Sequence, residues 1–414
     1  MQRDYPQEHK YGRDHINDFD LDSDEFCQHH DEVMSELGKC PVAHSKVGSG
    51  YTIVTKYDDV RRVAMDWRTY TSQQGFWPNR PPDMPWFQLI ESDPPFHTAW
   101  RKALSPYFSV EACEKLAPTI RAIIDRSIDA VIDRGTMDFV EDIVKPLPVE
   151  IFFRELLPLP EEDFDRVVGY ASEGFVGPVE GRAAAWAKCA EYVDWYLKQR
   201  ALQPPRGDMV DAIVAGVNLD DVMSYVHGMS PDEVRVSIVT NLISGSVDNI
   251  IYSLASIFHH LAQHPDDRRM LVSNPEKISH AIEEALRFFS PNPMIGRTCT
   301  ADSTIGGAEQ RAGDFVMIGW GAANRDPAIF ENPDKLDFER PEANRHVAFG
   351  YGPHRCIGIN LARVQIRVAM EQILARIPEF ALIEGTNPSY SCGLVHEMHG
   401  LHLSFPPGGG DKIN

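Results

Sequence analysis

Between Ser230 and Pro265 the chain carries one helical pattern long enough to dictate how the rest must be arranged. Ser230-Pro231-Asp232-Glu233 offers an N-cap serine, a proline in the first turn and a glutamate placed for a capping box. Apolar residues then recur at Val234, Ile238, Leu242, Ile250, Leu254 and Leu261 until Pro265 ends the run. More than thirty residues at 1.5 Å each make a rod on the order of 50 Å long. A helix of that length, apolar almost all round, predicts a path through the middle of the molecule. Its centre, Leu242 to Ile250, is crowded with Ser244, Gly245, Ser246, Asp248 and Asn249. Such residues are poor helix formers whose side chains compete for backbone hydrogen bonds, so a kink or widened turn with a functional reason is expected there.

Two more helices follow from the same logic. One starts at Asn274-Pro275, contains HAIEEALRFF and ends before Pro291; the other follows Cys356, carries Leu361, Val364, Val368 and Leu374 on one stripe and stops before Pro378. Strands are few: GYTIVTKY (50–57) and STIGGAEQRAGDFVMIGW (303–320), the latter punctuated at Gly306-Gly307 and Ala312-Gly313. The expected class is mainly α, of the α+β type, with a small β portion near each end. No linker or internal repeat divides the chain, which reads as one unit over 1–414. Residues 1–32, with ten acids against three bases, read as an acidic, loosely packed lead-in, and 407–414 as a frayed tail.

Charge and cysteines narrow the function classes. With 61 acidic and 40 basic side chains the net charge is −21, which excludes nucleic acid held through phosphate contacts. No apolar run is long enough for a membrane span, and the opening MQRDYPQEHK has no apolar core of a secretory signal. The seven cysteines, at 27, 40, 113, 189, 299, 356 and 392, form no CxxC pair. That pattern predicts free thiols in a cytoplasmic protein rather than a disulfide framework.

The most specific string is Phe349-Gly350-Tyr351-Gly352-Pro353-His354-Arg355-Cys356-Ile357-Gly358. Gly350 and Gly352 suit a tight turn against a bulky object, and Gly358 leaves room for a flat group at the helix start. A cysteine just ahead of a helix meets backbone N–H groups and the positive dipole end, which favours the thiolate, while Phe349 can shield the sulfur. The string resembles the haem-binding loop of cytochrome P450 enzymes at every defined position of Phe-Gly-x-Gly-x-His-x-Cys-x-Gly. The resemblance implies that Cys356 is the proximal thiolate ligand of haem b (iron protoporphyrin IX), in a fold described as a helix-rich triangular prism with a long central helix over the haem and small β-sheets.

Further positions match the same family. Glu284-Ala285-Leu286-Arg287 resembles its Glu-x-x-Arg, with Arg340 standing where the third member of a buried structural triad belongs. His97 and Arg101, four apart after Asp93-Pro94-Pro95, together with Arg297 and His354, match contacts to the haem propionates. On the oxygen side the family usually has an acid followed by a threonine. Asp248 matches the acid, whereas Asn249 replaces the hydroxyl with an amide, which donates twice but cannot relay a proton by hydroxyl rotation. The resemblance therefore implies that Asp248 delivers protons while Asn249 steadies dioxygen or the substrate; some bacterial monoterpenoid hydroxylases share the Asp-Asn pairing.

The implied substrate pocket comprises Phe76, Trp77, Trp86 and Phe87 from a proline-rich loop, Ser244 and Gly245 from the central helix, Met294 and Ile295, and Leu394 and Val395. That lining suits a small hydrophobic molecule such as a terpenoid or an aromatic. No flavin or nicotinamide fingerprint is present, so electrons are expected from a separate ferredoxin and its reductase, with NAD(P)H as ultimate donor. Arg101, Lys102, Arg355, Arg363 and Arg367 form the expected basic docking patch. The resulting expectation is a cytoplasmic, monomeric monooxygenase that uses O2 for hydroxylation or O-dealkylation. A peroxide-using or rearranging haem-thiolate enzyme and a non-catalytic haem sensor are the competing readings.

Overall fold

The computed structural model describes residues 11–217 and 228–408, so the end of the expected tail lies outside the described residues. The central rod is present but divided. Helix Pro231–Ser246 opens with the capping box, Ser230 Oγ accepting from Glu233 N while the Glu233 carboxylate accepts from Ser230 N. Val247, at φ −113° and ψ −66°, interrupts the run, and a second helix continues as Asp248–Gln263. The cause is the polar cluster itself. Ser244 Oγ donates to Asn241 O at 2.8 Å and Ser246 Oγ to Ile243 O at 2.9 Å, so hydroxyls compete with backbone N–H groups for those carbonyls in the last turn before the break. The expected continuous rod is thus corrected to two helices meeting at the predicted kink.

Around this pair lie helix Ile278–Phe289, preceded by a 3₁₀ turn at Pro275–Lys277, and helix Ile359–Arg376, both at the expected places. Their buried apolar stripes and those of Ala117–Val131 join one large core. The main sheet runs in the order Val42–Ser45, Tyr51–Val54, Phe315–Ile318, Ile295–Cys299, Tyr70–Thr71. Tyr51–Val54 pairs in parallel with Phe315–Ile318, and Arg297 stands opposite Val316 in the antiparallel pair. Ser303–Ile305 and Ala308–Gln310 form a hairpin turned by Gly306 and Gly307, both at positive φ. A C-terminal hairpin pairs Ser389–Cys392 with His396–His399.

Two expectations fail here. From Tyr11 onward the lead-in is packed, not loose: Phe19 and Phe26 are fully buried, and Asp22 and Asp31 pair with Arg182 at 2.7 Å and Arg325 at 2.8 Å. Its acids answer cations far along the chain, which local charge counting does not reveal. Nor are all seven cysteines free. Cys27 and Cys392 form a disulfide across a sequence separation of 365, with Cα atoms 5.4 Å apart, a pairing that only the fold creates. Cys40, Cys113, Cys189, Cys299 and Cys356 remain free.

Candidate active site

The cysteine loop is held by its own backbone. Cys356 N donates to Phe349 O at 2.8 Å and Gly350 N to Val347 O at 2.8 Å. Gly350 and Gly352 take φ of +69° and +75°, and a Cβ on Gly352 would come within 2.7 Å of the Ala64 carbonyl oxygen, so the turn requires glycine there. Gly358 caps helix Ile359–Arg376, and a Cβ on it would touch only Cys356 Sγ, at 3.8 Å, leaving the cavity side open. Burial pushes the Cys356 thiol up, while the Gly358 N–H and the Arg101 and Arg355 charges pull it down by less. The expected thiolate preference is therefore not inherent in the loop; a cation at the sulfur has to supply it.

Beneath the loop the triad is assembled. Glu284 and Arg287 are fully buried and bonded through 2.7 Å and 2.9 Å contacts, and Arg340 Nε reaches the same carboxylate at 3.0 Å. The two guanidiniums also donate to the carbonyls of Asn324, Pro333 and Lys335 and of Asn332 and Lys335, respectively. A second clamp escaped the sequence reading. Glu283 binds His346, just before the loop, at 3.2 Å and Arg363, just after it, at 2.6 Å, and these partners hold its carboxyl down at about 2. Only its adjacency to Glu284 could have signalled it.

Facing the sulfur is a cavity lined in part by Arg101, Arg297 and His354. His97 stacks behind, its ring centroid 4.2 Å from that of His354. Burial and the neighbouring arginines hold His97 down at about 3 and His354 well below its usual range, and burial lowers Arg297 to about 10. Both His97 nitrogens are buried without a partner, while His354 Nε2 contacts Ser72 Oγ at 3.1 Å. Four cation-forming groups thus converge with little negative charge to answer them. A flat dianionic group centred on a thiolate-bound metal fits these donors and the Gly358 cradle, as haem and its propionates require.

On the opposite wall Asn249 reaches the cavity, with Oδ1 buried and unpartnered. Asp248, in the first turn of the second helix half, is buried behind it. Among the described residues no cation pairs with Asp248, and burial, reinforced by the Glu397 charge, pushes its carboxyl up to about 8.

The structure brings six of the expected pocket residues to one cavity. Phe76, Ser244, Gly245, Ile295, Leu394 and Val395 line the cavity. Trp77, Trp86, Phe87 and Met294 do not. Trp77 stacks on Phe175 at 5.7 Å, Trp86 lies beneath the Arg80 guanidinium at 3.9 Å, Phe87 meets Trp186 edge-on, and Met294 is fully buried in the core. The loop folds its aromatics onto itself and its neighbours. Phe152 and Phe175, which the sequence reading missed, line the cavity from the helices Ile151–Leu156 and Phe164–Val176. The docking patch also thins. Arg363 is bound to Glu283 and Arg367 to Glu114 at 2.8 Å, and Arg101 turns to the cavity; Lys102 and Arg355 are exposed without an ion pair among the described residues.

Comparison with known proteins gives a consistent picture. Residues 171–389 match the family model described as Cytochrome P450. The chain is similar to a probable cytochrome P450 127A1 of Sinorhizobium fredii, at 30% identity over 372 residues, covering 88% of this chain and 85% of that one. A steroid C26-monooxygenase of Mycolicibacterium smegmatis is 32% identical over 370 residues, covering 87% and 88%. The fold matches that of the cytochrome P450 PksS from the Bacillus subtilis bacillaene polyketide synthase, with a TM-score of 0.81, 24% identity and coverage of 94% and 99%.

Proposed function

The chain belongs to the cytochrome P450 family of haem-dependent monooxygenases, and on that premise we propose that it hydroxylates or O-dealkylates a hydrophobic terpenoid or aromatic molecule. The reading includes haem b, a separate ferredoxin and reductase fed by NAD(P)H, a cytoplasmic monomer, and one haem-enclosing unit spanning 1–414. The observation that carries it is one cavity lined together by Cys356 and Arg297, by Asn249, Ser244 and Gly245 of the broken helix, and by Phe76, Phe175, Leu394 and Val395. The name of the steroid-oxidising relative supports a polycyclic or terpenoid class of substrate.

Thiolate-bound haem supplies dioxygen activation and transfer of one oxygen atom to carbon. The chain's residues do the rest. Cys356 offers its sulfur once the metal charge lowers its pKa. Arg101, Arg297, His97 and His354 would hold the propionates by charge-assisted hydrogen bonds, whose negative charge would oppose the burial and the neighbouring cations that depress both imidazoles. Asp248 keeps its proton at neutral pH, since its carboxyl titrates at about 8. That makes it a proton source at the helix break rather than a fixed anion. Asn249 presents two amide donors without a hydroxyl, so it orients rather than relays. The apolar walls exclude water and hold substrate.

The test is the carbon monoxide difference spectrum of the reduced protein, followed by turnover with ferredoxin and with peroxide. A thiolate-type band and ferredoxin-driven product are expected. A histidine-type band rules out Cys356 as the ligand, and turnover with peroxide alone replaces the dioxygen reading with the peroxide-using one.

A further inference from the structure

The Cys27–Cys392 disulfide takes no part in the chemistry above, yet it stands beside the wall of the substrate cavity. Cys392 ends the first strand of the C-terminal hairpin, opposite His396. The turn that follows is Gly393-Leu394-Val395, and Leu394 and Val395 line the cavity. Gly393 sits so close to the Phe175 carbonyl oxygen that a Cβ there would approach to 2.6 Å, and Phe175 lines the same cavity. At the other end, Cys27 belongs to the short helix Asp24–Gln28. That helix is fixed by the fully buried Phe26, whose ring meets His396 edge-on at 5.3 Å. It is fixed again by the Asp22–Arg182 ion pair just before it. The bond therefore ties the pocket-closing turn to a separately anchored segment near the other end of the chain.

The sulfurs can also be reached. Both cysteines are only half-buried, and Cys27 lines a second cleft that opens to solvent beside Tyr252 and Tyr390. Cys392 Sγ lies 3.5 Å from His396 Nδ1, which gives the released thiol an acceptor.

We propose that the Cys27–Cys392 disulfide positions the Leu394–Val395 wall, so that it sets how bulky a molecule the cavity admits, and that thiol–disulfide exchange reverses this setting. A dithiol reductant supplies two electrons and two protons. The S–S bond breaks, Cys27 and Cys392 become thiols, and the reductant leaves as its own disulfide. Without the bond the turn keeps its two-stranded ladder, the Gly393 contact, the packing of His396 against Phe26, His30 and Tyr252 and the Ser172–Glu397 hydrogen bond at 2.9 Å, and it loses its covalent tie to the Asp24–Gln28 helix. The inference rests on the reading of this cavity as the haem and substrate site.

The test uses the air-oxidised holoenzyme and its Cys27→Ser and Cys392→Ser variants. Alkylation without unfolding, read by mass spectrometry, reports the state of each cysteine. Binding of imidazole and of the bulkier clotrimazole, both followed by the spectral shift of iron ligation, reports the pocket. In both variants the ratio of clotrimazole to imidazole affinity is expected to change by about fivefold or more relative to oxidised wild type. Cys27 is not part of the hairpin or its turn, so a matching change in Cys27→Ser separates loss of the bond from substitution within the hairpin. An unchanged ratio, a change confined to Cys392→Ser, or two alkylatable thiols in the oxidised wild type overturns the proposal, even where the variants melt earlier. If neither probe shifts the spectrum of the oxidised wild type, the haem-site reading fails with it.

Discussion

The two walls of the cavity are built on opposite terms. In the network that underlies the cysteine loop, behind the cavity cluster of Arg101, Arg297, His97 and His354, charge is answered: Glu284 by Arg287 and Arg340, Glu283 by His346 and Arg363, and the Arg287 and Arg340 guanidiniums in turn by backbone carbonyls. On the side of the broken helix polar groups stand without partners. Asn249 Oδ1 is buried and unbonded, and no cation pairs with Asp248 among the described residues. A satisfied buried network fixes one geometry, whereas an unsatisfied group keeps its bonding capacity for whatever enters. The first network fixes the loop that carries Cys356, and the second side keeps a carboxyl and an amide acceptor without partners among the described residues.

The largest break in that contrast comes from the satisfied side. Arg287→Ala leaves the Glu284 carboxylate fully buried with Arg340 as its remaining cation, and removing one partner of a buried pair typically costs about 3–5 kcal/mol. The denaturant midpoint is expected to fall accordingly, with haem lost early in the transition. A loss below about 1 kcal/mol, the range of a surface pair, would show that the wall does not depend on its network.

The reserved side is expected to behave in the opposite way, with function falling and stability holding. Asp248→Asn removes a proton source, worth on the order of a hundredfold in turnover. In the wild type, turnover that needs the protonated acid declines as pH rises through about 8, and the variant should lack that limb. The sign for stability follows from the same shift. The folded carboxyl titrates at about 8 against an ordinary value of 3.8, so its contribution is complete below the lower value and lost as pH rises through the higher one. The variant should therefore gain on the wild type as pH climbs between them. A pH-independent difference in melting temperature would place Asp248 in a solvated, unperturbed site. Asn249→Ala should cost less, a several-fold loss in product formed per NAD(P)H consumed, the scale of one hydrogen bond of about 1 kcal/mol. Coupling equal to wild type would assign the orienting role to the substrate.

What the sequence disclosed divides along the same line. The cysteine wall is read from contiguous strings, because a tight turn and a helix start are local events whose residues must be neighbours. The triad was legible only through the family resemblance, since spacing alone makes Glu284 and Arg287 an ordinary i,i+3 pair and does not connect them with Arg340. The kink at Val247 was legible from the polar cluster, though the complete break was not, since it depends on where Ser244 and Ser246 send their hydroxyls. The cavity lining was legible from position where a residue lies within or just after a marked helix, as Ser244, Gly245 and Ile295 do, and only through the family resemblance at Phe76, Leu394 and Val395. Trp77, Trp86 and Phe87 share the composition of lining residues, and only tertiary packing turns them away. Phe175 and the Cys27–Cys392 bond are meetings of distant segments, for which no spacing rule exists.

The docking patch gives the smallest effect and tests whether exposed charge on the cysteine side acts differently from charge already paired. Lys102 and Arg363 looked equivalent in the sequence, but only Lys102 is free to attract a partner. Lys102→Glu should slow reduction by an acidic ferredoxin several-fold at low ionic strength, with the deficit fading as salt shortens the screening length from about 10 Å at 0.1 M to about 3 Å at 1 M. Its melting temperature should not move. Arg363→Glu removes a partner of Glu283 and sets a like charge against that carboxylate, which is otherwise held down at about 2, so its first effect should be thermal destabilisation at any salt. If instead Arg363→Glu reproduces the salt-dependent slowing and Lys102→Glu does nothing, the ferredoxin approaches nearer the amino-terminal part of helix Ile359–Arg376, and the Glu283 pair opens on docking.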